Sequence, residues 1–371
     1  MVNIAFTGGG TGGHIYPGLA VALELKKQTA GGECRIFWIG SSAGMDRSIV
    51  EETGIEFFGV PSGKLRRYFS LRNVTDFFLI AAGFFASRKI LKKKKTGLLF
   101  SKGGFVSVPP CAAAATLNIP VFTHESDFSP GLATKLNTRF VSRTGGRIFT
   151  AYSDTVRFFP EKLAGRITVS GNPVRSAFRS ADAARGRSFL NVDEGMRILL
   201  VLGGSQGARE INELVRAALA GLTEVYTVVH QSGPNQQWDL PASRKYKPFP
   251  FIGEEMPDVM AAAELVMGRS GAGIWEWAVC GKPMLLIPLT GSGTRGDQVE
   301  NARYFEKAGA AQVLIGDVTA QTLTSAVTAL ARDSDKREAM AKASSRIGEI
   351  DGTQIIAHAL AGEIALKLNG R

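Results

Sequence analysis

Cysteine is scarce: the chain of 371 residues carries three, Cys34, Cys111 and Cys280. An odd, scattered set excludes a disulfide framework and a cysteine-based metal site, and it fits a reduced, cytoplasmic compartment. Long apolar runs are missing too. The longest, Phe77 to Ala86, has ten residues, where a membrane-spanning helix needs about 20. The start, Met1-Val2-Asn3-Ile4-Ala5-Phe6, has no basic residue before its apolar stretch, so no cleaved signal peptide is expected. The balance of 44% hydrophobic and 21% charged residues excludes a disordered chain. At about 150 residues per domain, the length predicts two domains.

Acid is short in one half only. Residues 1–170 hold 22 Lys and Arg against 11 Asp and Glu, whereas residues 171–371 hold 22 of each. The whole net charge of +11 therefore sits in the first half, which suggests an anionic partner for one domain. Lys64, Arg66, Arg67 and Arg72 precede the Phe77–Ala86 run, and Arg88, Lys89 and Lys92 to Lys95 follow it. Aromatic rings flanked by cations match an interfacial membrane anchor. A buried helix with a cationic C-terminal end is the alternative. Nucleic acid is not expected, because the rings are contiguous and not interleaved with Arg and Lys.

Short apolar runs alternate with helical patterns. Strands are expected at Asn3–Thr7, Arg35–Gly40, Gly97–Ser101 and Val121–His124, with a helix at Tyr16–Lys27. The pattern restarts after about residue 170: strands at Arg197–Leu202, Val225–His230, Leu265–Gly268 and Pro283–Pro288, and helices at Ala208–Leu222 and Thr353–Leu368. Two such series predict an α/β chain of two Rossmann-like domains with parallel sheets, broken near Ser170-Gly171-Asn172-Pro173.

Gly8, Gly10 and Gly13 match a dinucleotide fingerprint, but the second strand ends Gly40-Ser41-Ser42 without the carboxylate that would hold a ribose. A dehydrogenase is thereby disfavoured. What remains is a set of glycine turns at strand ends: Gly8–Gly13, Lys102-Gly103-Gly104-Phe105 and Gly203-Gly204-Ser205-Gln206-Gly207. Such turns let backbone N–H groups approach phosphates, and in open α/β sheets they share the carboxyl edge. Polar residues gather there as well: His14, His124-Glu125-Ser126-Asp127, Arg175, Glu276, Asp297, Gln298 and Asn301. His14 follows its loop at a helix start, where the dipole disfavours the cation and a neutral imidazole suits a general base. His230 and His358 read as structural. Asp333-Ser334-Asp335 lies in a charged stretch far from any glycine turn and reads as solvated surface, so no metal is expected.

Six motifs together carry a resemblance over nearly the whole chain. They are Gly9-Gly10-Thr11-Gly12-Gly13-His14-Ile15-Tyr16-Pro17, His124-Glu125-Ser126-Asp127 with Pro130-Gly131, Gly171-Asn172-Pro173-Val174-Arg175, Gly203 to Ala208, Arg269-Ser270-Gly271-Ala272, and Gly296-Asp297-Gln298 with Asn301-Ala302. In order and spacing the sequence resembles the MurG family of cell-wall N-acetylglucosaminyltransferases, which make lipid II. The resemblance implies the GT-B fold, two Rossmann-like domains whose parallel sheets face a central cleft. Residues 1–168 would form the acceptor and membrane domain, 169–351 the UDP-N-acetylglucosamine (UDP-GlcNAc) domain, and a helix over 352–371 would cross back. It implies inverting transfer, without a cofactor, to the sugar 4-hydroxyl of undecaprenyl-linked lipid I, at the cytoplasmic face of the plasma membrane.

By the same resemblance His14 is the base and Asp127, where many members carry Asn, stands beside it. Thr11, Gly12, Gly13, Gly103, Gly104 and Glu125 would hold the acceptor and its diphosphate. Arg175, Ser205 and Gln206 would meet the UDP phosphates. Ile252 would offer backbone groups to uracil, Glu276 would bind the ribose and Gln298 the donor sugar. Phe77, Phe78, Phe85 and the nearby cations would meet the anionic membrane. A related enzyme that glycosylates diacylglycerol, and a catalytically silent nucleotide sensor, are the competing readings.

Overall fold

The computed structural model describes every residue except 30–31, 44–45, 64–71, 205, 235–239, 292–294 and 370–371, and of 72–74 the backbone only. Lys64, Arg66, Arg67 and Ser205, and the side chain of Arg72, therefore lie outside the described residues.

The chain divides into two compact units, Met1–Arg175 with Asp351–Arg371, and Ser176–Ile350. The first contains β1 (Val2–Thr7), α1 (Gly12–Gln28), β2 (Cys34–Ser41), α2 (Asp46–Glu51), β3 (Glu56–Val60), α3 (Arg72–Lys93), β4 (Thr96–Ser101), α4 (Val108–Thr116), β5 (Val121–Glu125), α5 (Leu132–Thr144), β6 (Ile148–Thr150) and β7 (Ile167–Val169). The second contains α6 (Ala183–Leu190), β8 (Ile198–Leu202), α7 (Arg209–Val225), β9 (Thr227–Gln231), β10 (Tyr246–Phe249), α8 (Met256–Ala262), β11 (Leu265–Gly268), α9 (Ile274–Val279), β12 (Met284–Leu286), α10 (Asp297–Lys307), β13 (Ala311–Val313), α11 (Ala320–Arg332) and α12 (Ser334–Gly348). The helix α13 (Gly352–Asn369) returns to the first unit.

Each unit is built on one parallel sheet. The strand orders are β3-β2-β1-β4-β5-β6-β7 and β10-β9-β8-β11-β12-β13. In both, the order reverses beside the first strand, so the loops after the central strands open at the carboxyl edge. The central strands are apolar at nearly every position because helices cover both faces: β8, Ile198-Leu199-Leu200-Val201-Leu202, is buried throughout. On one face of the first sheet, Ile15, Leu19 and Leu25 of α1 pack with Ile356, Leu360 and Ile364 of α13. Each such side chain contributes about 1.5–3 kcal/mol by leaving water. In the second unit, Ile211, Val215 and Leu222 of α7 join Leu323, Val327 and Leu330 of α11.

The first unit extends through Arg175, past the boundary at residue 168 expected from the sequence. The reason is a set of hydrogen bonds. Ser170 N–H donates to Thr150 O at 2.9 Å, and Gly171 O lies 3.0 Å from His124 Nε2. Val174 N–H donates to Thr353 Oγ1 at 3.0 Å, while that hydroxyl donates to Val174 O at 2.7 Å. Gly352 makes the approach: a Cβ there would sit 2.9 Å from three backbone atoms of Ser170 to Asn172.

Several sequence expectations shift at their ends. The helix expected from Tyr16 begins at Gly12, because Thr11 is its extended N-cap, and this puts His14 in the first turn. Val225 closes α7 instead of opening β9. The Phe77–Ala86 run lies in α3, which packs inward through Gly83, Ser87 and Leu91. No helix among the described residues is long and apolar enough to cross a membrane.

Candidate functional site

In the first unit three loops leave the carboxyl ends of β1, β4 and β5. The β1 loop is held from beneath by Asp46, a carboxylate buried at the start of α2. Gly10 N–H donates to its Oδ1 at 3.0 Å and Ser41 N–H to its Oδ2 at 3.1 Å. Trp38 Nε1–H donates to Gly8 O at 3.0 Å. The following residue, Thr11, places its Oγ1 2.9 Å from His14 Nδ1.

The β4 loop closes on the same ring. Gly104 has φ 78°, a left-handed conformation that excludes a side chain without strain. A Cβ there would stand 2.9 Å from Gly9 O and 3.4 Å from His14 Cγ, and one on Gly103 would stand 3.6 Å from His14 Cδ2. The glycines thus bring the second loop flat against the imidazole. Ser101 Oγ accepts from Gly103 N–H and Asn137 Nδ2, both at 3.1 Å, which anchors this loop to α5.

The β5 loop departs from expectation at one residue. Glu125, expected to touch the acceptor, is buried, and its two carboxylate oxygens accept from Asp127 N–H and Gly131 N–H at 2.9 Å each. It shapes the loop and caps the approach to α5. Burial, and then the Asp127 carboxylate, push its pKa upward against these bonds. Asp127 is half-buried. His124 is buried, and desolvation with the nearby Lys102 charge holds its pKa well below the usual imidazole range. It is therefore neutral, with Nε2–H given to Gly171 O.

Lys102, Asp46 and Asn137 are residues that reading the sequence missed. Lys102 had a signal: a cation at the end of a buried apolar strand. Its Nζ donates to Ser126 Oγ. Asp46 had none, since only the fold brings it under Gly10. Arg175 lies in the first unit with its guanidinium 5.1 Å from the Tyr16 ring centroid.

In the second unit the expected donor residues follow four strands at one sheet edge: Gln206 after β8, Ile252 after β10, Glu276 after β11 and Gln298 after β12. Gly207 packs against the β9 loop, where its Cβ would meet Ser232 O at 2.0 Å. Gln231, also missed, ties two loops together: its Nε2 donates to Gly204 O at 3.3 Å and its Oε1 accepts from Ile252 N–H at 2.9 Å. The Ile252 N–H is thus already engaged. Gln298 Oε1 accepts from Leu289 N–H at 2.9 Å, which fixes the orientation of its amide. Glu276 is half-buried in the first turn of α9.

Beneath this edge His230 is locked as a neutral tautomer. Asn212 Nδ2 donates to Ser232 O at 2.9 Å, so its Oδ1 faces His230 Nε2 at 3.1 Å, and Tyr246 OH lies 3.0 Å from Nδ1. The Asp333-Ser334-Asp335 stretch is a helix cap, Asp333 accepting from Lys336 N–H at 2.9 Å. Among the described residues no cluster of three His, Cys, Asp or Glu could hold a metal ion.

Comparison with known proteins gives the family. The glycosyltransferase family 28 N-terminal domain matches residues 4–145, and the C-terminal domain of that family matches 198–354. The UDP-N-acetylglucosamine–N-acetylmuramyl-(pentapeptide) pyrophosphoryl-undecaprenol N-acetylglucosamine transferase of Treponema denticola is 48% identical over 338 residues, 85% of each chain. The protein of that name from Shouchella clausii is 41% identical over 333 residues, 89% of this chain and 91% of its own. Among solved structures, Acinetobacter baumannii MurG has a TM-score of 0.72 at 24% identity, covering 96% of this chain and 98% of that one. The calicheamicin glycosyltransferase CalG4 has a TM-score of 0.68 at 17% identity, covering 98% of both. At these identities the structural likeness speaks for the fold alone, which is GT-B.

Proposed function

The chain belongs to glycosyltransferase family 28, and from that premise we infer its reaction: it moves N-acetylglucosamine from UDP-GlcNAc to lipid I and so makes lipid II. The curated relatives are named for the muramoyl acceptor, which weighs against diacylglycerol. The observation that carries the reading is that both family domains are present, each on a sheet whose carboxyl edge carries glycine turns.

The chemistry is a single displacement. The 4-hydroxyl of the muramoyl sugar attacks the anomeric carbon, the new C–O bond forms as the bond to the UDP oxygen breaks, and UDP leaves with the electron pair. Configuration inverts. The hydroxyl proton goes to Nε2 of His14. For this the Nδ1–H must point to Thr11 Oγ1, the contact seen at 2.9 Å. Asp127 stabilises the imidazolium or holds a sugar hydroxyl.

Thr11, Gly12 and Gly13 present the N-terminus of α1, whose first N–H groups have no intrahelical acceptor, to the acceptor diphosphate. Gly103 and Gly104 add a second backbone wall. On the donor side Ser205, Gln206 and Arg175 meet the UDP phosphates, where charge grows as the bond breaks. The Ile252 carbonyl reads uracil, Glu276 takes the ribose hydroxyls, and Gln298 gives its NH2 to the donor sugar.

Membrane docking through α3 completes the proposal, on the cytoplasmic face of the membrane where a nucleotide sugar is available. Phe77, Phe78 and Phe85 are 65%, 66% and 67% exposed, and Arg88, Lys89, Lys92, Lys93 and Lys95 are exposed after them. Exposed rings beside cations favour an anionic interface.

The deciding experiment is UDP release from UDP-GlcNAc with a lipid I analogue, run beside diacylglycerol and in EDTA. Release with lipid I alone is expected. Release with diacylglycerol alone overturns the acceptor, and donor binding without turnover favours the sensor.

A further inference from the structure

Lys102 has no part in the reaction as argued so far, yet it is 1% exposed at the carboxyl end of β4. An ammonium removed from water is strongly disfavoured unless charges and hydrogen bonds offset the loss. Packing alone would be served by methionine or leucine without that penalty. The offset comes from the β5 loop: Nζ donates to Ser126 Oγ, and the Glu125 and Asp127 carboxylates favour the charged form. Its backbone is fixed to the β1 side, with Lys102 N–H donating to Thr7 O at 2.8 Å. Its stem passes beneath the first glycine loop, where a Cβ on Gly8 would lie 3.2 Å from Lys102 Cβ. Gly103, the next residue, lies between the His14 ring and the β5 backbone: its Cβ would be 3.6 Å from His14 Cδ2 and 3.7 Å from His124 O. One residue therefore links β1, which leads into the His14 loop, to the loop that carries Asp127.

Resting on the acceptor assignment above, we propose that Lys102 is a positioning residue for acceptor use: its ammonium pins Ser126 and so holds the β5 loop that carries Asp127 in place against the β1 side of the sheet. Acceptor use is lost when that ammonium gives up its proton. Burial brings the group down to about 8, against the pull of Glu125 and then Asp127. His124 on β5 and His14 on α1 also titrate in this neighbourhood, His124 being held neutral partly by the Lys102 charge. Asp46 on α2 is engaged with Gly10 and Ser41.

The test is the pH profile of kcat and KM, for a lipid I analogue and separately for UDP-GlcNAc, from about pH 6 to about pH 10, a span that brackets lysine titration below its usual value. For the wild type, kcat/KM for the acceptor falls about tenfold per pH unit on the alkaline side, while KM for the donor stays constant. Lys102→Arg moves that fall beyond the measured range. Lys102→Met lowers the neutral-pH value by roughly tenfold and removes the fall. Asp127→Asn moves it toward lower pH, because one carboxylate favouring the ammonium is gone. An alkaline fall unchanged in both Lys102→Arg and Asp127→Asn overturns the proposal even if Lys102→Met does not fold. Absence of any transfer to lipid I by the wild type overturns the reaction itself, a separate result.

Discussion

The Thr11 hydroxyl lies 2.9 Å from Nδ1 of His14, and the same threonine is the N-cap of the helix that carries the histidine. Helix start and ring orientation are therefore set by one residue. Gly103 and Gly104 lie against the same ring: a Cβ on Gly104 would stand 3.4 Å from His14 Cγ and one on Gly103 3.6 Å from Cδ2.

His14→Ala is expected to lower turnover by about 10² or more, with KM for UDP-GlcNAc near normal. Thr11→Val, which frees the ring, lowers it by about tenfold. Single-turnover kinetics at saturating donor measures both. An unchanged rate in His14→Ala removes the histidine as base.

Gly104→Ala forces a Cβ to 2.9 Å from Gly9 O at φ 78°. The strain costs about 1–3 kcal/mol, and the second loop must lift from the imidazole. Thermal unfolding reads the first effect and acceptor kcat/KM, falling by about 10², reads the second. A variant as active as the wild type shows that the contact with the ring is dispensable.

Replacing Phe77, Phe78 and Phe85 together with serine reduces binding to anionic vesicles severalfold. The midpoint of unfolding barely moves, because the rings are already in water. Co-sedimentation measures the bound fraction. If that fraction holds, contact with the membrane is made elsewhere.

His230 carries a pH dependence of stability for the second unit. Burial lowers its pKa to about 4 in the folded chain, against an ordinary value of 6.5. The unfolded chain takes up the proton first as pH falls. The stability is fully present above about pH 6.5, is lost as pH drops toward about 4, and then levels off; its size is on the order of 3 kcal/mol. Hydrogen exchange of the β9 and β10 amides across this window reads the loss. His230→Gln, which keeps a donor and an acceptor, flattens the curve; a variant with the wild-type slope places the titrating group elsewhere.

The central strands and their glycine turns were legible because buried parallel strands are written as apolar runs with a break at each end. Short strands such as β6 and β13 were not, since Ile148-Phe149-Thr150 and Ala311-Gln312-Val313 offer three residues each and no period. His14 could be found from its loop. The inward turn of Glu125 could not, because its partners, the N–H groups of Asp127 and Gly131, carry no trace in residue type. Asp46 and Gln231 escaped for the same reason: each serves backbone groups distant in sequence. The boundary after Arg175 depends on Thr353, which lies 179 residues from Val174.

That last bond has a consequence for biogenesis. Residues 351–369 emerge from the ribosome only after the whole of 176–350, yet Ile356, Leu360 and Ile364 belong to the core of the unit begun at Val2. The domain translated first is thus completed last, and until then the apolar flank of α1 is open to chaperones and proteases. A nascent chain exposed as far as residue 350 would hold a finished second sheet and a first unit still lacking α13.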